Sequence, residues 1–128
     1  MRLLLDTHVL LWWHDQPARL TDRAYGAIND LSSDVYISVV NGWEIQIKAQ
    51  LGKLTLPKPL RARFQEEQAT NGFRLLPVTL EHVYALDSFP LHHRDPFDRL
   101  LIAQAHQEGL TLVTHDPKLS AYPVSLLW

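Results

Sequence analysis

A chain of 128 residues that is 46% apolar and 20% charged carries enough core-forming material to exclude intrinsic disorder, and its length suits a single domain, 1–128. Twelve Lys and Arg against fourteen Asp and Glu leave a formal net charge of -2, so no overall positive field draws it onto nucleic acid, and such binding needs a local patch. The absence of cysteine excludes disulfides, thiolate metal sites and thiol nucleophiles, and with no apolar run long enough for a bilayer the expectation is a cytoplasmic protein without membrane contact. The N-terminal leucines meet Asp6 too soon to form the apolar stretch of a secretory signal.

In chain order, residues 3–5 predict a strand, and their unbroken Leu-Leu-Leu fits one covered on both faces in a parallel sheet. Helical spacing over 21–31 leads to a strand at 35–38, and helical spacing returns over 39–51 and 60–71. A strand at 74–78 precedes helical spacing over 79–86. The clearest helix covers 96–108, with Asp95 as N-cap, Pro96 at its first position and Gly109 as its stop. It feeds directly into a strand at 111–114, and 124–127 is a weaker fifth. Strands alternating with helices predict a three-layer α/β/α sandwich on a mostly parallel four- to five-stranded sheet with right-handed crossovers; a doubly wound order is compatible with it, but the sequence alone does not give the order of the strands.

The acids fall on one edge of that arrangement. Asp6 follows the first strand, Asp116 lies just beyond another, Glu44 sits early in the helix leaving a third, and Asp95 and Asp98 occupy a first helical turn over the same rim. In open α/β sheets the ligand crevice lies outside the carboxyl ends of the strands. Crowded carboxylates repel one another unless a cation compensates, and oxygen ligands without sulfur suit Mg²⁺ or Mn²⁺. Such ions activate water and stabilise the leaving oxygen of an in-line displacement, so phosphodiester hydrolysis is the expected chemistry.

Ordinary structural roles compete for each acid. Asp95 is most simply an N-cap, Asp98 gains from the helix dipole, Asp116 before Pro117 suits a turn, and Glu44 alone suits a helix surface. Asp6 stands apart, because an acid directly after a buried Leu-Leu-Leu strand is costly unless something uses it.

Four segments, taken in order and spacing, carry a resemblance. They are Leu3-Leu4-Leu5-Asp6-Thr7-His8; Ile37-Ser38 with Trp43-Glu44-Ile45 and Gly52-Lys53-Leu54; His93-Arg94-Asp95-Pro96-Phe97-Asp98-Arg99-Leu100-Leu101-Ile102-Ala103-Gln104-Ala105; and Gly109-Leu110-Thr111-Leu112-Val113-Thr114 ahead of Asp116. In these the chain resembles the PIN-domain nucleases, in particular the VapC-type toxins of type II toxin-antitoxin pairs. The resemblance implies a parallel-sheet α/β/α fold and a Mg²⁺- or Mn²⁺-dependent ribonuclease acting on RNA. It also implies a homodimer and a cognate antitoxin that blocks the site. Carried over position by position, the catalytic and metal-binding acids are Asp6, Glu44, Asp98 and Asp116, with Asp98 preferred to Asp95. Thr7 and Thr114 match polar positions bordering such a site, where a hydroxyl orients a carboxylate.

For phosphate contacts the candidates are Lys48, Lys53, Arg94, Arg99 and Lys118, each of which also suits a solvated surface. Trp12 and Trp13 are adjacent and are expected not to share one core, leaving one for base stacking or a partner, whereas Trp43 is expected in the core. His8, His92, His93 and His115 lie near the acids but are read as bystanders. A haloacid-dehalogenase-type phosphatase or phosphotransferase would place a second Asp two residues after the first, where this chain has His8. A receiver-like module would begin with adjacent acids. The remaining alternative is an inactive interaction domain whose acids only cap helices and turns.

Overall fold

The computed structural model describes residues 1–91 and 95–128; His92, His93 and Arg94 lie outside the described residues. Five strands, β1 (Arg2–Leu5), β2 (Asp34–Ser38), β3 (Arg74–Leu76), β4 (Thr111–Val113) and β5 (Leu126–Leu127), form one sheet ordered β3-β2-β1-β4-β5. Every neighbouring pair is parallel, with Leu3 opposite both Val35 and Thr111, and Leu5 opposite Val113. The order reverses at β1, so the chain winds outward in both directions from the central strand, and the connections part above the carboxyl ends of β1 and β4.

Leu3, Leu4 and Leu5 are all inaccessible to solvent, and their alternation sorts them between two cores. Leu3 and Leu5 pack with α1 (Thr7–Asp15), α2 (Asp22–Asn29) and the inner side of α3 (Val39–Gln50) through Val9, Leu10, Ala24, Ile28 and Ile45. Leu4 faces the other way, onto Leu101, Ile102 and Ala105 of α6 (Pro96–Glu108). The layers are completed by α4 (Leu60–Thr70) and α5 (Leu80–Ala85). Arg63 of α4, itself buried, donates to Asp15 Oδ2 at 3.1 Å and to the Leu11 carbonyl at 3.2 Å, which fixes α4 against α1.

The structure bears out the parallel α/β/α expectation and supplies the doubly wound order. It adds α1, which the sequence did not announce: residues 9–13 are all apolar, with Val9 and Leu10 buried and Leu11, Trp12 and Trp13 packed half-buried on the same core, so no polar position marks a 3.6-residue period. The third strand ends at Leu76 rather than at residue 78, since Pro77 offers no N–H to a ladder. Gly109 adopts φ 65°, and its N–H closes α6 onto Ala105 and His106 carbonyls, a left-handed position that would strain a residue with a side chain.

Candidate active site

Asp6, Glu44, Asp95, Asp98 and Asp116 line one cavity of about 180 Å³ at the carboxyl edge of the sheet, together with His8, Lys48 and His115. Each acid is delivered by a different local device. Asp6 continues β1, and its N–H donates to the Val113 carbonyl at 3.0 Å, so the β1–β4 ladder holds its backbone while the side chain is only 5% exposed. Burial raises the Asp6 pKa above its ordinary 3.8, and the Glu44 charge adds to the effect; a hydrogen bond from Thr114 and the proximity of His8 oppose it.

Thr114 Oγ1 donates to Asp6 Oδ2 at 2.7 Å and accepts from the Asp116 N–H at 3.2 Å, so one hydroxyl ties the acid after β1 to the loop after β4. Asp116 in turn accepts from the Lys118 N–H at 2.9 Å and caps the short 3-10 turn Pro117–Ala121. Asp95 is the N-cap of α6, accepting from the N–H groups of Phe97 at 2.8 Å and Asp98 at 3.2 Å, while its side chain still borders the cavity. The capping role foreseen for Asp95 is thus present, and it does not remove the residue from the rim.

Glu44 is not a surface residue. In α3 the buried positions are Val40, Asn41, Glu44 and Ile45, one helical stripe, and Glu44 is 2% exposed. Its Oε2 accepts from Lys48 Nζ, one turn later, whereas Oε1 is buried without a hydrogen-bond partner. Burial alone would lower the Lys48 pKa, but the hydrogen bond and charge of Glu44, with the charges of Asp95 and Asp98, raise it above 10.5. Lys48, considered from sequence as a phosphate contact, is therefore the internal cation of the cavity. The i,i+4 spacing of Glu44 and Lys48 is the signal that identifies the pair.

The residues suit a hard divalent cation. Five carboxylates and no sulfur border the space, and the orphaned Glu44 Oε1 is a buried oxygen that lacks the donor such groups normally find. Among the described residues no three His, Asp or Glu side chains form a ready-made ligand group as they stand.

Beneath the acids runs a polar underlay that the sequence reading missed. Asn41, inaccessible to solvent, accepts from the Ser38 N–H at 2.7 Å and donates to the Leu5 carbonyl at 3.1 Å and to Thr7 Oγ1 at 3.0 Å. The Thr7 hydroxyl thus supports the end of β1, while its backbone N–H, like the Thr114 hydroxyl, hydrogen-bonds Asp6. Ser38 Oγ donates to Gln104 Oε1, and Gln104 reaches the Pro77 carbonyl at 3.3 Å, linking α3, α6 and the end of β3. Ser and Asn three residues apart at a helix start is a capping-box signal that could have found Asn41. Asn41→Ala is expected to destabilise by about 2 kcal/mol, because it leaves a buried N–H and a carbonyl unsatisfied. Urea unfolding should show a lower midpoint with an unchanged slope.

Two expectations about tryptophan are corrected. Trp43 is 51% exposed, with Phe97 edge-on at 4.8 Å, because position 43 falls on the face of α3 opposite the buried stripe. Trp12 and Trp13 both pack on the margin of the same core: Trp13 against Tyr25 and Phe73, Trp12 against Trp128 and His115, since α1 straddles that core and each ring wraps one flank. Of the other basic candidates, Arg99 is turned inward onto the Leu86 and Phe89 carbonyls, at 3.4 Å and 3.3 Å, while Lys53 and Lys118 are exposed.

The family model of the PIN domain matches residues 3–124. The ribonuclease VapC22 of Mycobacterium tuberculosis is 30% identical over 122 residues, covering 94% of this chain and 91% of that protein. Among solved structures, VapBC2 from Rickettsia felis bound to a DNA fragment from its promoter aligns with TM-score 0.75 at 16% identity, over 99% of this chain and 98% of the other. VapBC-1 from nontypeable Haemophilus influenzae aligns with TM-score 0.63 at 14% identity, over 99% and 97%. At those identities the structural likeness speaks for the fold, and the family rests on the two sequence matches. The chain belongs to the PIN-domain family, in its VapC branch.

Proposed function

We propose that this chain is the toxin of a type II toxin-antitoxin pair and a Mg²⁺- or Mn²⁺-dependent ribonuclease that hydrolyses RNA phosphodiester bonds in the cytoplasm. Residues 1–128 act as one nuclease domain. Asp6, Glu44, Asp98 and Asp116 hold the ion, and a cognate antitoxin and a second copy of the chain are its protein partners. The observation that supports this best is the buried, unpartnered Glu44 Oε1 in a cavity bordered by four further carboxylates. A helix-capping or turn-forming role uses a carboxylate's hydrogen-bonding capacity, and Glu44 leaves half of its capacity unused. The membership of the PIN family and the likeness to a ribonuclease favour the same conclusion.

When bound, the ion supplies the positive charge that activates water and offsets the charge gathering on the phosphate. The chain's own residues do the rest. The hydrogen bond from Thr114 restrains the Asp6 side chain where it lines the cavity. Lys48 occupies Glu44 Oε2 and leaves Oε1 as the available donor. The capped ends of α6 and of the turn at Pro117 set Asp98 and Asp116 at the rim of the cavity. The phosphatase alternative is not favoured: His8, exposed at the cavity mouth, stands where that chemistry needs a second acid.

Incubating the purified chain with RNA tests the proposal. Cleavage is expected with Mg²⁺ or Mn²⁺, loss of cleavage in EDTA, and recovery on adding Mn²⁺ in excess. Undiminished cleavage in EDTA by repurified protein would overturn it.

A further inference from the structure

A second cavity, of about 280 Å³, adjoins the acidic one and shares His8 and Lys48 with it, yet its charge is opposite. Its cations are Arg19, Lys48 and Lys53, and its single acid, Asp15, is already paired with Arg63. Lys48 is likewise committed to Glu44, which leaves Arg19 and Lys53 as exposed cations with no ion pair among the described residues. Arg19 is nevertheless not loose: its guanidinium lies over the Trp12 ring at 4.4 Å from the centroid, and Trp12 is itself wedged against His115 at 4.9 Å. A guanidinium seated over an aromatic ring on one side is planar and keeps a second face for stacking.

We infer that this groove is a nucleotide subsite for single-stranded RNA beside the cut, in which the Arg19 guanidinium, seated over Trp12, stacks on an unpaired base and Lys53 contacts a phosphate of the same strand. The inference rests on the ribonuclease proposal and adds to it where the substrate lies. A planar cation next to a point cation matches a nucleotide, which offers a flat π face and a phosphate within one repeating unit. Continuity through His8 and Lys48 sets the subsite on the path that leads a strand to the carboxylates. A duplex, whose bases are already stacked, gains only the phosphate contact, so unpaired RNA is preferred.

The test is fluorescence anisotropy of a labelled single-stranded RNA with the full chain in Ca²⁺, over a series of salt concentrations, with gels confirming that the RNA stays intact. Lys53→Ala is expected to weaken binding several-fold and to reduce the slope of log affinity against log salt by about 0.7, the value for one phosphate contact on a single strand. Arg19→Ala is expected to weaken binding about tenfold. Arg19→Lys, which keeps the charge and loses the plane, should lose most of that affinity while retaining the wild-type salt slope. Lys58→Ala, whose ammonium pairs with Glu66 outside the groove, should bind as wild type. Arg19 and Lys53 are exposed, so the variants are expected to melt as wild type does.

Wild-type affinity and slope in both Arg19 and Lys53 variants, with RNA still cleaved in Mn²⁺, would overturn the subsite and leave the nuclease proposal standing. Binding that follows these patterns without any cleavage in Mn²⁺ would do the reverse. Unchanged RNA binding in variants that lose an acidic peptide would give the groove to a protein partner and overturn the inference.

Discussion

Asp6→Asn is expected to reduce RNA cleavage by at least about 100-fold and, in metal-free buffer, to raise Tm by a few degrees. The two effects have one cause. Asp6 is 5% exposed, next to Glu44, and its carboxylate form is disfavoured by burial before any neighbour is counted. Asparagine keeps an oxygen to accept from Thr114 Oγ1 and removes the charge, so repulsion falls while the packing stays. The pH dependence follows from the direction of the shift. A carboxyl whose folded pKa is raised above the unfolded 3.8 holds its proton longer in the folded chain. The stability this contributes is fully present below 3.8 and is lost as pH rises through the folded value. The wild type without metal should therefore lose stability, relative to Asp6→Asn, as pH climbs out of the acid range. Saturating Mn²⁺ should favour the wild type more than the variant. Intact activity with a lower Tm would contradict both parts.

Lys48→Met should destabilise the metal-free protein by about 2 kcal/mol, less than a fully buried pair would cost because the lysine side chain is 32% exposed. Its removal leaves both Glu44 oxygens buried without a donor. Stability measured against pH separates this from simple loss of packing. Lys48 has a folded pKa above 10.5, so its contribution is present below 10.5 and fades as pH passes through the folded value; the wild type should lose that advantage in strong alkali, and the methionine variant has none to lose. Because one positive charge has left the cavity, the Tm increase on adding Mn²⁺ should be larger in the variant than in the wild type. An equal increase and an unchanged metal-free Tm would show that Lys48 does not balance Glu44.

The parts of the molecule that were legible in the sequence are those governed by local chemistry. Asp6 after Leu3-Leu4-Leu5, Asp95 before Pro96, and Asp116 before Pro117 announce their positions because strand ends and helix starts have residue signatures. The parallel direction of the strands followed from helices inserted between them, whereas their order came only from the structure. What escaped depends on which face an element presents. Trp43 and Glu44 are adjacent, and only the stripe shared by Val40, Asn41 and Ile45 shows that the acid turns inward and the indole outward. Helix α1 escaped for the converse reason: with apolar residues at every position from 9 to 13, its sequence carries no contrast between faces. The pairing of Lys48 with Glu44 was readable from spacing, but its consequence was not, because neither residue signals its own burial.

The hydroxyl that restrains Asp6 belongs to a residue 108 positions later in the chain. The backbone partner of Asp6, Val113, is almost as remote, so Asp6 is held on both counts by contacts that span most of the chain. The polar frame around Asp6 is therefore complete only once the β1–β4 pairing has closed, a contact of long sequence separation that is costly to form early in folding.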